Sequence, residues 1–444
     1  LWNEGEDHLM ASRQLAAGIA VTSVDMADFD GDGAKDLALT SRYSSSSYGL
    51  QAVAVARNQG HRVFVAAEFL RTENEVRVAA TADLNADGSL DLLMGSRVSP
   101  LVYLDTNDGS GRFTRVTDFP IAEITFQAAA ADLDRDGDID LITEGGTGVS
   151  VTLQIGNLIF SSSRIFRVGS GFTPTDMAVA DLSGDGAPDA AVLVRKSDGG
   201  GLHLFRNRGD GDLEPILVRN GKFAALTAGD LDGDGAVDVA ALDQANLPRQ
   251  DVVIIHNDGS GQFEPRGSFL AGEGTGLPRA LRAGDVDGDG DLDLVAASPE
   301  GGFISVLDND GRGDFATPRR FLVHNVVSVS SSDIDRDGRI DLLAGTGHGP
   351  AVLFNRGAGG FAPALELFAA GEPLSLEAAD VTGDGYPELI WADQQKKGVS
   401  ILMNRIVPAI SANCNVNAVP DECDIAVGNS TDADGDGVPD ECEA

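Results

Sequence analysis

The chain has 444 residues, 42% of them hydrophobic, with 70 Asp plus Glu against 32 Lys plus Arg and a formal net charge of −38. That is enough apolar material for a packed core, and an acidic balance that makes nucleic acid and anionic membrane poor partners, so neither is expected. No run of 18 apolar residues occurs, so no membrane insertion is expected, and no leader is visible, as in a mature form whose leader has been removed.

The first predicted element is an outer strand, Met10–Ala16. Its segment, Leu1–Gly18 (LWNEGEDHLMASRQLAAG), aligns with Leu353–Gly371 (LFNRGAGGFAPALELFAAG), with Trp2-Asn3 matching Phe354-Asn355. The last repeat has a third strand, Val399–Arg405, and no fourth. The N-terminal strand is therefore expected to supply the missing one and to close a ring without leaving unpaired edges.

Next comes a pattern that recurs along the chain, Asp-x-Asp-x-Asp-Gly-x-x-Asp with close variants. It begins at Asp28, Asp83, Asp132, Asp181, Asp230, Asp285, Asp333 and Asp380, in steps of 47 to 55 residues. A period of that length marks a propeller or solenoid. Repeat five reads most clearly. Ala224–Asp230 is a strand, the acidic turn follows, Val237–Leu242 and Asp251–His256 are strands, Asn257–Gly261 is a Gly-rich turn, and Phe263–Leu270 is an edge strand bearing Pro265. Four antiparallel strands per repeat make a propeller blade. The expected fold is all-β, an eight-bladed β-propeller over residues 1–407 with a small tail at 408–444; a seven-bladed ring with one stray repeat is the alternative. Turns alternate between the faces of such a ring, so the acidic first turn and the Gly-rich third turn share one face. The two long repeats carry second-turn insertions on the other face, at Ser41–Tyr48 and Asp243–Arg249.

The nine-residue acidic turns point to a hard cation. Ca²⁺ takes six to eight oxygens, and positions one, three, five and nine offer side-chain oxygens while position seven offers a carbonyl. The expected ligands are Asp28, Asp30, Asp32 and Asp36 in blade one, and Asp83, Asn85, Asp87 and Asp91 in blade two. Blade three offers Asp132, Asp134, Asp136 and Asp140; blade four offers Asp181, Ser183, Asp185 and Asp189. Blades five and six offer Asp230, Asp232, Asp234, Asp238, Asp285, Asp287, Asp289 and Asp293. Blade seven offers Asp333, Asp335, Asp337 and Asp341, and blade eight Asp380, Thr382, Asp384 and Glu388. The hydroxyls at Ser183 and Thr382 mark two weaker sites. Leu39 and Ala241 stand where an EF-hand needs its bidentate Glu, so these loops are not EF-hands.

In the tail, Asn413–Cys423 aligns with Asp432–Cys442 at a period of 19 residues. The second copy presents Asp432, Asp434, Asp436 and Asp440 as a further cation loop; binding by the Asn-bearing first copy is left open. All three cysteines, Cys414, Cys423 and Cys442, lie here, which suits an oxidising compartment. Cys414 and Cys423 could bridge within one loop.

The D-x-D-G-D-G-x-x-D motifs, each followed by D-[LV] and then G-x-G-x-F, resemble FG-GAP/VCBS repeats, the family of the integrin α-chain propeller and of many secreted bacterial proteins. The tail resembles thrombospondin type 3 or degenerate dockerin repeats. The resemblance implies a propeller with about eight Ca²⁺ and one or two more in the tail, on an extracellular or cell-surface protein. It does not specify a function.

No Gly-x-Ser-x-Gly, His-Glu-x-x-His or phosphate loop is present, and the six histidines share no repeat position. The reading is therefore a non-catalytic structural or adhesive protein, self-assembling into a fibre or surface layer, whose partner is itself or an extracellular glycan or protein. A carbohydrate- or protein-binding module is the alternative. A polysaccharide lyase is a further one, which would need bases among Arg42, Tyr43, Tyr48 and Arg249 on the insertion face. Trp2 and Trp391 read as core, and Arg312-Gly313-Asp314 as part of a third turn.

Overall fold

The computed structural model describes residues 9–15, 21–31, 35–41, 51–56, 68–72, 76–96, 99–109, 112–169, 171–196, 199–273, 280–298, 302–357, 360–367, 376–379, 387–393 and 398–404. Asp32, Trp2, Arg42, Tyr43, Tyr48, Asp380, Thr382, Asp384 and the tail ligands Asp432, Asp434, Asp436 and Asp440 lie outside these residues. Among the described residues there is no helix, and so none long and apolar enough to cross a membrane.

The chain is an all-β propeller. Seven blades are each built from four consecutive strands in sequence order. A further four-stranded sheet is composite: Leu376–Ala379, Glu388–Asp393 and Gly398–Asn404 are followed in strand order by the N-terminal strand Leu9–Leu15. The expectation of eight blades thus resolves into seven blades of consecutive strands and one composite sheet. Contacts group the chain into Ser12–Ile401 and a second unit of Leu1–Ala11 with Leu402–Ala444.

Each strand's composition follows from its place. The first strands are innermost and pack on one another: Val76–Ala82 contacts Thr125–Ala131, Thr173–Ala180 contacts Phe223–Gly229, and Phe223–Gly229 contacts Ala280–Gly284. They are rich in Ala, Ser, Thr and Gly because converging strands leave no room for larger side chains. Second strands such as Asp91–Ser96, Asp140–Gly145 and Asp341–Thr346 are buried on both faces and so read as apolar runs. Fourth strands alternate; Phe113–Pro120 has one covered face and one solvated face. In six blades the first strand carries a register shift near its start, for example between Pro174 and Asp176 and between Val326 and Ser328.

The apolar core is a series of layers between adjacent blades. One layer takes Leu182, Leu193, Leu202 and Leu204 from blade four and Phe223, Leu226, Val253 and Ile255 from blade five. Trp391 is fully buried, as expected of core.

A polar clamp joins the same blades. In blades two to seven, the residue that ends the third strand or follows it is Asn107, Gln154, Asn207, Asn257, Asn309 or Asn355. Its side-chain amide donates at 2.6–3.0 Å to a carbonyl in the preceding blade's acidic loop: Phe29, Leu84, Leu133, Leu182, Leu231 or Val286. Asn257 also donates at 3.0 Å to Val237 in its own blade. Asn257→Ala leaves both carbonyls without this donor in a buried setting, so a loss of about 2–3 kcal/mol is expected. Denaturant midpoints measured beside the exposed control Asn246→Ala check it, and equal midpoints would remove the clamp from the stability argument.

Candidate metal centre

Each acidic loop joins a blade's first strand to its second. Its sixth residue must take a left-handed backbone to bend the chain, and glycine is there: Gly88, Gly137, Gly186, Gly235, Gly290 and Gly338 have φ of 86–99°. The first Asp then accepts backbone N–H groups from inside the turn. In blade five, Asp230 takes those of Gly233 at 2.8 Å and Gly235 at 3.0 Å. These bonds aim the remaining carboxylates inward. Potential ligand atoms of Asp28, Asp30 and Asp36, of Asp132, Asp134 and Asp136, of Asp230, Asp232 and Asp238, and of Asp285, Asp287 and Asp289 lie within 4.8 Å of one another.

Like charges this close repel, and a divalent cation of oxygen-ligand preference is the species such a donor set fits. One observation supports the fit directly: Asp132 Oδ1 is buried and receives no hydrogen bond. A carboxylate oxygen in that state is costly without a positive partner. The loops beginning at Asp83, Asp181 and Asp333 have the same scaffold, with Gly88, Gly186 and Gly338 donating to the first Asp at 2.9–3.0 Å.

The ninth residue does more than offer a ligand. Asp36, Asp91, Asp140, Asp189, Asp238, Asp293 and Asp341 are buried. Each accepts at 2.7–3.1 Å from the backbone N–H of the loop's second residue. From blade two to blade seven the other oxygen accepts at 2.6–2.8 Å from the backbone N–H of the clamp residue. The ninth carboxylate is thus a structural anchor in the first place. Glu388, in the composite sheet, is also fully buried.

Sequence reasoning missed His256. Its Nδ1 lies 3.0 Å from Asp232 Oδ2 and 3.3 Å from Asp238 Oδ1, and the Arg266 guanidinium also bonds Asp232. In blade five a ring nitrogen thus joins two carboxylates: potential ligand atoms of Asp232, Asp234 and His256 lie within 4.8 Å of one another. The signal was His256's place one residue before the clamp Asn257, which a search for a repeated histidine position passes over.

The opposite face carries a cavity of about 540 Å³, lined by Phe172, Lys196, Gly199, Gly200, Asn220, Gly221, Lys222 and Ala245. All come from second turns and blade connections of blades four and five. Lys196 sits 5.0 Å over the Phe172 ring. Arg249, a candidate base on this face, is engaged with Asp251 at 2.8 Å.

Burial pushes the carboxyls of Asp140, Asp293 and Asp341 from 3.8 up to about 6, outweighing their two N–H donors. The folded chain holds these protons more tightly than the unfolded one. Their contribution to stability is fully present below pH 3.8 and is lost as pH rises through about 6. The melting temperature of the metal-free chain, followed in excess chelator, should fall between about pH 4 and about pH 6. A rise across that window would contradict the assignment.

A family model described as FG-GAP-like repeat matches residues 83–143, 191–241, 230–296 and 333–391, together just over half of the chain. No curated protein matches it. Among solved structures, similar ones include the Dos1 propeller, 11% identical with a TM-score of 0.58, the match covering 88% of this chain and 94% of that one. An Agrocybe aegerita lectin that recognises non-reducing terminal N-acetylglucosamine is 20% identical with a TM-score of 0.47, over 78% of this chain and 93% of the lectin. The V. cholerae biofilm matrix protein Bap1 is 13% identical with a TM-score of 0.43, over 88% of each chain. At these identities the likeness is one of fold. With its acidic loops placed on successive propeller blades and the family model matched over half its length, the chain belongs to the FG-GAP-like repeat family.

Proposed function

We propose that this is a secreted, calcium-stabilised β-propeller of eight blades, the composite sheet being the eighth, that acts without catalysis as a structural or adhesive extracellular protein. One observation carries the reading. The carboxylate that completes each acidic loop also holds the residue that clamps the neighbouring blade. A cation bound there acts on the joint between blades, which is a structural use of the ion. Calcium is the ion favoured by an all-oxygen set of flexible carboxylates and carbonyls; Mg²⁺ demands a stricter octahedron.

Residues 1–407 form the propeller in this reading, and 408–444 add a calcium loop at Asp432, Asp434, Asp436 and Asp440. The partner is a second copy of the chain, or an extracellular glycan or protein. An ion bound only to the folded state stabilises it by linkage, by about 4 kcal/mol at a thousandfold excess over Kd. Chelation should therefore lower the melting temperature by many degrees, and an unchanged melt in EGTA would overturn the calcium assignment. Negative-stain microscopy in millimolar calcium and in EGTA addresses the assembly: ordered fibres or sheets that vanish on chelation are expected. Isolated rings in both conditions would remove self-assembly.

The cavity on the opposite face favours a second reading, a ligand-binding module. Two of the chain's five lysines, Lys196 and Lys222, line it, with Phe172 and the Asn220 amide. On so acidic a protein this is a local attraction for an anion, and a ring beside an amide suits a carboxylated sugar. A screen of acidic glycans should find a ligand whose affinity falls tenfold or more in Lys222→Ala. Binding unaltered in that variant would place the ligand elsewhere.

A further inference from the structure

The fourth residue of every described acidic loop is also left-handed. Gly31, Gly184, Gly233 and Gly288 have φ of 69–84° there, whereas Ala86, Arg135 and Arg336 have 57°, 63° and 60°. A β-carbon makes this conformation unfavourable, so an arginine in place of glycine calls for a compensating interaction.

The two arginines are not scattered. Arg135 belongs to the loop before Ser183, and Arg336 to the loop before Thr382. Those are the two loops in which a hydroxyl replaces the carboxylate or amide at position three. Where position three is Asp or Asn, the preceding loop has glycine or alanine at position four, with Gly383 before blade one if the ring closes in that order.

The geometry shows what such a side chain can reach. Position four of one blade lies against the third turn of the next. A β-carbon on Gly184 would collide with the Gly259 carbonyl of blade five, and one on Gly233 would come 3.3 Å from the Gly311 carbonyl of blade six. Arg135 uses this approach to cross from blade three into blade four. Its guanidinium lies over Gly209, where an added β-carbon would stand 2.9 Å from the guanidinium carbon. Arg135 Nη2 donates to the Asp185 carbonyl, and at 2.7 Å to Asp185 Oδ1.

We propose that Arg135 is the resident cation of loop four and that this loop takes no metal. The inference rests on the calcium reading of the other loops. Loop four has only three carboxylates. Asp185 carries the Arg135 guanidinium on Oδ1, and position three offers only the Ser183 hydroxyl; Asp189 is held by the N–H groups of Leu182 and Asn207 as the ninth residue is in the other loops. Calcium affinity follows the count of charged ligands, and a loop with a hydroxyl at position three and an arginine bonded to position five offers fewer than its neighbours. Arg266 and Arg339 also bond loop carboxylates, Asp232 and Asp337. Each stays within its own blade, and those two loops keep Asp at positions one, three, five and nine.

Calcium stoichiometry of the full chain, by equilibrium dialysis, tests this. Asp234→Asn in loop five should lose one ion per chain, and Asp185→Asn, its counterpart in loop four, should lose none. An equal loss of one ion from both variants overturns the proposal. The double variant Arg135→Gln with Ser183→Asp should gain one ion, a readout that remains should Asp185→Asn fail to fold; no gain overturns the proposal as well. A parent chain that binds no calcium, with Asp234→Asn unchanged, overturns the underlying calcium reading and this proposal together, a pattern distinct from failure at loop four alone.

Discussion

The interaction on which the rest of the structure depends is a desolvated carboxylate held by two backbone N–H groups from different parts of its blade. Asp238 shows it: one oxygen fastens the start of the acidic loop at Leu231, and the other fastens the end of the third strand at Asn257. Apolar layers between blades supply most of the buried area, but hydrophobic attraction has no direction and tolerates sliding. The carboxylate supplies direction. By fixing the backbone of the clamp residue, it points that side chain at the preceding blade's loop, so every described joint is specified by one acid and one amide.

This arrangement couples charge to architecture. The buried acid is disfavoured in its ionised form by burial and by its neighbours in the loop, yet its hydrogen bonds favour ionisation. A bound cation would resolve that conflict at the joint itself. The other face is chemically different. There the second turns and blade connections bring Lys196 and Lys222 to one cavity, and no acidic loop contributes to its lining. Turn alternation in antiparallel blades separates the two chemistries without any dedicated domain.

Much of this was legible in the sequence because it is local. The expected strands of repeat five, Ala224–Asp230, Val237–Leu242, Asp251–His256 and Phe263–Leu270, correspond to Phe223–Gly229, Asp238–Asp243, Arg249–Asn257 and Phe263–Glu273. The strand expected at Met10–Ala16 lies at Leu9–Leu15, next to Gly398–Asn404 in its sheet. What escaped is non-local or doubly determined. Asn257 reaches Leu182 across 75 residues, and an Asn two residues before a Gly already has a sufficient explanation in turn chemistry. The ninth Asp was read as a ligand because its spacing fits one; its anchoring bonds become visible only when the third strand returns beside it. Cavities between blades depend on how two turns stand relative to each other, which spacing does not encode.

The repeats themselves separate what the fold requires from what it leaves free to vary. Position three varies among Asp, Asn and Ser in the described loops, while position nine remains Asp and keeps its bond to the second residue throughout. Position nine therefore answers to the fold, and position three is free to vary. The clamp obeys the same logic. In blade three the amide belongs to Gln154, one methylene longer, and the turn after it is the divergent Ile155–Ile159 in place of the Gly-rich consensus. The longer side chain still places its amide 3.0 Å from Leu84 and its backbone N–H 2.8 Å from Asp140. A device that survives a change of residue type and of turn is constrained by the joint it makes, and its chemistry is that of the amide, not of asparagine.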